Sequence, residues 1–209
     1  MDVTWRSRRR DIAVLISVAL VSCSGDSHAG GAAASAAPNP TAVSGVTASA
    51  AFVGTYYPSQ GHTHLQPDEP DDFVYSSNPP TSGPHREIFN DSFISPVPLA
   101  KYVQVHLLEH GNVLLQYSCS CPDVESALGA IAMQYDKHVL PAGQLQPTAA
   151  DVQNAEEQGF AVIVAPYPHM KSKIALTAWT RLGVLDSVDK HKVTSFIDTY
   201  LHNGVNASQ

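Results

Sequence analysis

The chain has 209 residues, of which 44% are hydrophobic, and its 19 acidic against 12 basic side chains give a formal charge of −7. That length can bury one ordinary core. The acidic balance excludes a protein that tracks nucleic-acid phosphates.

Arg6, Arg8, Arg9 and Arg10 precede an apolar run over residues 12–21 that is too short to cross a bilayer as a mature helix. The run ends in small residues before a cysteine. This predicts a lipoprotein-type signal peptide over residues 1–23, with Cys23 as the lipidated first mature residue. A simple secretory signal cleaved near Ala29 is the alternative, and both readings export the domain. Ser7-Arg8-Arg9-Arg10 also resembles a twin-arginine export signal. Residues 24–51 are dominated by Ala, Gly, Ser, Pro and Thr, which bury too little apolar area to offset ordering entropy, so they read as a disordered tether. The expected location is extracytoplasmic. The expected partner is the cell-envelope membrane, reached through the lipid anchor.

Residues 52–86 read as ordered loop, with Tyr56-Tyr57 and Phe73-Val74-Tyr75 as short strand candidates. Within them, Pro79-Pro80-Thr81-Ser82-Gly83-Pro84-His85 combines stiff prolines with one flexible glycine and so fixes where His85 points at low entropy cost. Over residues 102–121, apolar residues alternate on both sides of Glu109-His110-Gly111-Asn112, which predicts an antiparallel hairpin with a tight turn. A helix follows from Pro122-Asp123, capped by Asp123 and ending near Lys137. A shorter one is capped by Thr148, carries Asp151 in its first turn and stops at Gly159.

The run FAVIVA, residues 160–165, reads as a central strand ended by Pro166. A turn over residues 167–170 and a strand over residues 173–180 come next. The last helix, capped by Asp186 or Ser187, buries Val188, Val193, Phe196, Ile197 and Tyr200 and closes at Asn203-Gly204. The expected fold is a single α+β domain over residues 52–203, with residues 204–209 as a tail. Its mostly antiparallel or mixed sheet has about four strands and is covered by two or three helices.

Metal-binding side chains are dense for so short a domain: His62, His64, His85, His106, Glu109, His110, Cys119, Cys121, His169 and Met170. His62-Thr-His64 can present two imidazoles to one ion, or stay a solvated pair. His106-Leu-Leu-Glu109-His110 has the H-x-x-E-H spacing of inverted zinc peptidases, which places both histidines on one face only if the segment is helical; a hairpin would spread them roughly 13 Å apart. Cys119-Ser-Cys121 is either a tight local disulfide or a pair of thiolates suited to soft metals, as Met170 would also be. Serine-hydrolase, phosphate-loop, C-x-x-C and heme-attachment motifs do not occur. Trp179 reads as core packing.

Three blocks, YSSNPPTSGPH ending at His85, VHLLEHG ending at Gly111, and Ala165-Pro166-Tyr167 with Ala175-Leu-Thr-Ala-Trp179, together resemble the extracytoplasmic family defined by domain of unknown function number 3105. The resemblance spans about residues 54–202, and that family carries no established activity to transfer. It implies that His85, His106, Glu109 and His110, which lie in its signature blocks, are the first choices for a site. His62 and Met170 lie near those blocks and come second. Cys119 and Cys121 lie outside them. The expected cofactor is a copper or zinc ion held by clustered histidines, in a protein that is not clearly an enzyme. A small metal-dependent hydrolase using His106, Glu109 and His110, and a structural envelope protein without metal, are the alternatives.

Overall fold

Every residue of Val113–Tyr117 is buried, and this strand carries neighbours on both of its edges. The computed structural model describes residues 51–70 and 72–205. The expected signal with Cys23, nearly all of the tether and most of the tail lie outside the described residues. In chain order the elements are β1 (Thr55–Tyr56), α1 (Lys101–His110), β2 (Val113–Tyr117), α2 (Pro122–Asp136), α3 (Ala149–Glu157), β3 (Val162–Pro166), β4 (Ile174–Ala178), β5 (Arg181–Leu185) and α4 (Lys190–Tyr200). No helix among the described residues is long and apolar enough to cross a membrane.

The sheet is open and mixed, in the order β1-β5-β4-β2-β3. β2 runs parallel to β3, with Leu115 opposite Val164, and antiparallel to β4, with Leu115 opposite Leu176. Strand alternation then sorts side chains to two faces. Val113, Leu115 and Tyr117 pack with Val124, Leu128 and Ile131 of α2 and Val193, Phe196 and Ile197 of α4. Leu114 and Ile163 face the other way, onto Val103, Leu107 and Leu108 of α1 and Val152 and Ala155 of α3. Each fully buried Leu, Ile or Phe in these layers contributes about 1.5–3 kcal/mol. The result is the α+β class expected, with one more strand and more helix than expected.

The largest correction is α1. The predicted first hairpin strand is a helix, and the predicted turn is its C-terminus: Gly111 adopts φ 102° and its N–H bonds Leu107 O and Leu108 O, while Asn112 N bonds Leu107 O at 3.1 Å. Residues from Val103 to Glu109 are all buried, so the helix has no polar face to give a helical period, and the local alternation misleads. Asn112 then locks the helix end, donating to Leu107 O (2.9 Å) and Glu156 O (2.8 Å) and accepting from Ala161 N (2.9 Å).

Smaller differences follow the same logic. FAVIVA does contain a strand, but β3 ends the five-strand order rather than lying at its centre. It is buried because the segment around Ile94 covers its edge, with Ser95 N donating to Val164 O and Val164 N to Phe93 O, both at 2.8 Å. β5 was not expected at all: it pairs with β4 through the two-residue turn Trp179-Thr180, where Thr180 takes φ 60° without the glycine or asparagine that usually marks such turns. β1 is only Thr55–Tyr56, and residues 73–75 form no strand. The N-cap of α2 is Cys121, with proline in its first turn, rather than Asp123. The cap of α4 is Asp189, which accepts from Lys192 N at 3.1 Å, rather than Asp186 or Ser187. α3 starts as expected at Thr148, with a reciprocal capping box to Asp151.

Candidate metal centre

The helical form of α1 puts His106, Glu109 and His110 on one side of one rigid element, with the His106 and His110 rings 4.7 Å apart. Two loops complete the site. His85 and His64 sit opposite each other in a short parallel pairing, in which Leu65 N donates to His85 O at 2.7 Å and His85 N to Thr63 O at 3.0 Å. The proline-rich loop before His85 is fastened along its length. Ser77 and Thr81 hydroxyls share a hydrogen bond (3.0 Å), Thr180 N donates to Thr81 O (2.9 Å), and the Tyr75 hydroxyl donates to Pro84 O (2.7 Å). His85 is therefore held fully buried, as the stiffness of that segment suggests.

These residues converge on one carboxylate. Glu109 Oε2 lies 2.8 Å from His85 Nε2, 3.1 Å from His64 Nε2 and 3.6 Å from His106 Nδ1, and Glu109 Oε1 lies 3.2 Å from His62 Nδ1. One ligand atom each from His64, His85, His106 and Glu109 can be chosen so that all lie within 4.8 Å of one another. This cluster of three histidines and one glutamate could hold a metal ion. Ligand atoms about 2 Å from a shared zinc are on the order of 3–4 Å apart, so only small side-chain adjustments separate this arrangement from coordination.

The opposite ring nitrogens are already anchored. His85 Nδ1 donates to Gly83 O at 2.9 Å, His64 Nδ1 pairs with Glu87 Oε1 at 2.8 Å, and His110 Nδ1 donates to Glu157 O at 2.8 Å. A neutral imidazole that donates through Nδ1 presents a lone pair at Nε2, the arrangement by which outer partners orient metal-ligating histidines. His106 differs: it is buried, and neither of its nitrogens has a hydrogen-bond partner. Burial lowers its pKa, as do the neighbouring His110 and His85, against the opposing pull of Glu109; the ring is thus favoured in its neutral, ligand-competent form. Burial works to raise the pKa of Glu109, but the imidazoles of His106, His85 and His64 outweigh it and hold the carboxyl well below its ordinary range. The centre is a carboxylate faced by imidazole nitrogens.

Of the residues expected from sequence, His85, His106 and Glu109 come together here. His62 reaches the outer oxygen of Glu109 from a largely exposed position, with 60% of its side chain accessible. His110 packs edge-to-face against His106 and Phe89 but turns Nδ1 away to α3. Met170 is elsewhere, packed with Tyr167, Ala175 and Leu182. Cys119 and Cys121 are joined in a disulfide, outside the cluster. Sequence reasoning weighed His64 only as half of a His-Thr-His pair, and missed Glu87 altogether. The pairing of the His64 and His85 backbones that selects His64 is a long-range contact with no local signature.

The family described as "Protein of unknown function (DUF3105)" matches the chain over residues 66–128 and 125–208. The chain belongs to this family. The DUF3105 match includes His85, His106, Glu109 and His110 and starts after His62 and His64. No curated protein and no solved structure matches the chain.

Proposed function

We propose that this DUF3105 protein is an exported, lipid-anchored metal-binding protein whose ion is zinc or copper(II), ligated by His64, His85, His106 and Glu109. The observation that carries the reading is the buried His106 ring, with two unpartnered nitrogens beside a carboxylate that three other histidines already face. A buried polar group without a partner costs about 1–3 kcal/mol, and a bound cation removes that cost. Imidazole and carboxylate ligands suit zinc and copper(II). Copper(I) is disfavoured, because the softer donors Met170, Cys119 and Cys121 lie outside the set. His62, more exposed than any of the four, serves as the solvent-side relay through which an ion enters or leaves.

Metal analysis of the purified protein tests this. Zinc or copper is expected at one ion per chain. Glu109→Gln, which keeps the side chain's shape and removes its charge, is expected to weaken binding by at least about 100-fold. Parent protein that binds neither ion would refute the reading. The lipid anchor is tested separately: Cys23→Ala is expected to move the protein from the membrane to the soluble fraction, and an unchanged distribution would refute it.

A second reading, a metal-dependent hydrolase, gains from α1 being helical, since His106 and His110 then share a face as the H-x-x-E-H spacing requires. It requires Glu109 to act as a base toward water instead of as a ligand. Turnover of peptide or ester substrates that is lost with chelator and with Glu109→Gln would favour it.

A further inference from the structure

The disulfide between Cys119 and Cys121 plays no part in the metal centre. It bridges Cα atoms 5.3 Å apart, at the junction where β2 ends and α2 begins, and closes a loop over the single residue Ser120. The stabilisation a disulfide gives through the unfolded chain grows with the length of loop it closes, so this bridge gives little. Its surroundings are fixed without it. β2 is paired on both edges, Ser118 N donates to Lys173 O at 3.0 Å, and the α2 turn is closed by Val124 N to Cys121 O at 3.0 Å.

The bridge is also accessible. Both cysteines are half-buried and line a cleft of about 380 Å³, whose walls include Pro96, Pro98, Pro166 and Pro168. Proline walls are stiff and offer no backbone N–H, so the cleft keeps its shape and can seat an extended chain. Cys121 is the N-cap of a 15-residue helix that begins with Pro122, and its side chain makes no cap hydrogen bond. Glu125 adds a carboxylate to the same cleft.

We propose that Cys119–Cys121 is a redox-active disulfide that oxidises a dithiol on an extended segment of a partner protein seated in this cleft. The partner's thiolate attacks Cys119 Sγ, an intermolecular S–S bond forms, and the Cys119–Cys121 bond breaks with its electron pair going to Cys121. The partner's second thiolate then attacks its own sulfur in the mixed disulfide and releases Cys119. The partner leaves as a disulfide, and its two electrons and two protons reside on Cys119 and Cys121 as thiols. Glu125 makes the cleft select thiols with neutral or basic flanks over anionic ones.

The full chain is treated with dithiothreitol, and the reduced cysteines are counted by alkylation and mass spectrometry. The proposal expects reduction within about tenfold of the rate for oxidised glutathione, a strain-free accessible disulfide. Reduction more than about 100-fold slower overturns it. Among monothiols, cysteamine is expected to open the bridge faster than mercaptoacetate by more than in oxidised glutathione, and Glu125→Gln to narrow that gap. A Cys121→Ser chain whose Cys119 is first activated as its mixed disulfide with thionitrobenzoate is expected to exchange onto a single-thiol peptide with basic flanks, releasing thionitrobenzoate and leaving the peptide disulfide-bonded to Cys119, and no capture overturns the proposed route. The double variant Cys119→Ser/Cys121→Ser is expected to keep its metal stoichiometry and to melt within about 3 °C of the parent. Its unfolding would show the bridge to be structural and overturn the proposal.

Discussion

His85 Nε2 and Glu109 Oε2 lie 2.8 Å apart while the other nitrogen of the same ring donates to the Gly83 carbonyl. In a neutral ring so oriented, Nε2 carries a lone pair, and a lone pair facing a carboxylate is repulsive. Something positive must lie between them, either a proton or a metal ion.

Metal binding at this site therefore displaces protons. Calorimetric titration with zinc in buffers of different ionisation enthalpy is expected to show net proton release near neutral pH. Proton release is expected to fall in His85→Ala, which removes the short His85–Glu109 contact. Heats that do not vary with the buffer would place the ion elsewhere.

A second consequence concerns pH and lies away from the histidines. Asp136 and Glu156 are buried, each has one carboxylate oxygen without a partner, and burial pushes both up to about 8. Their folded-state values exceed their unfolded ones, so their stabilising contribution is complete below about pH 4 and is lost as pH rises through about 8. The metal-free protein is expected to lose unfolding free energy between pH 5 and pH 8, with a slope of at most about 1.4 kcal/mol per unit for each group. Glu109 has the opposite sign. Its contribution is present above the ordinary carboxylate range and disappears only in strong acid, as pH falls through its depressed folded value. Denaturant titrations across this range, repeated on Asp136→Asn, are expected to show a flatter profile in the variant.

Much of the fold was legible because half-buried or capped elements write their period into the sequence. α3 begins at its Thr148 cap, and the apolar face of α4 includes Val193, Phe196 and Ile197 as expected. α1 was not legible: with both Gln104 and His106 buried among aliphatic residues, its polar residues carry no information about a solvent side. The site was half legible. A proline-stiffened loop ending in histidine and an H-x-x-E-H run marked the right segments, but only the helix brings His106 near Glu109, and only the loop pairing brings His64 near His85.

Asn112 ties these parts together. Its three hydrogen bonds join the end of α1 to α3 and to the residue before β3. Asn112→Ala leaves buried backbone groups unpaired and is expected to lower stability by about 2–4 kcal/mol. Because α1 then loses its anchor, zinc affinity should fall as well, although no ligand has changed. A variant that melts like the parent would show that the tie is not needed.

X-ray absorption at the zinc edge of protein loaded at one ion per chain tests the central claim most directly. The account predicts a shell of nitrogen and oxygen scatterers at about 2.0–2.1 Å with the outer-shell pattern of several imidazoles, and no sulfur. A sulfur shell near 2.3 Å, or a shell of oxygens without imidazole scattering, would contradict it.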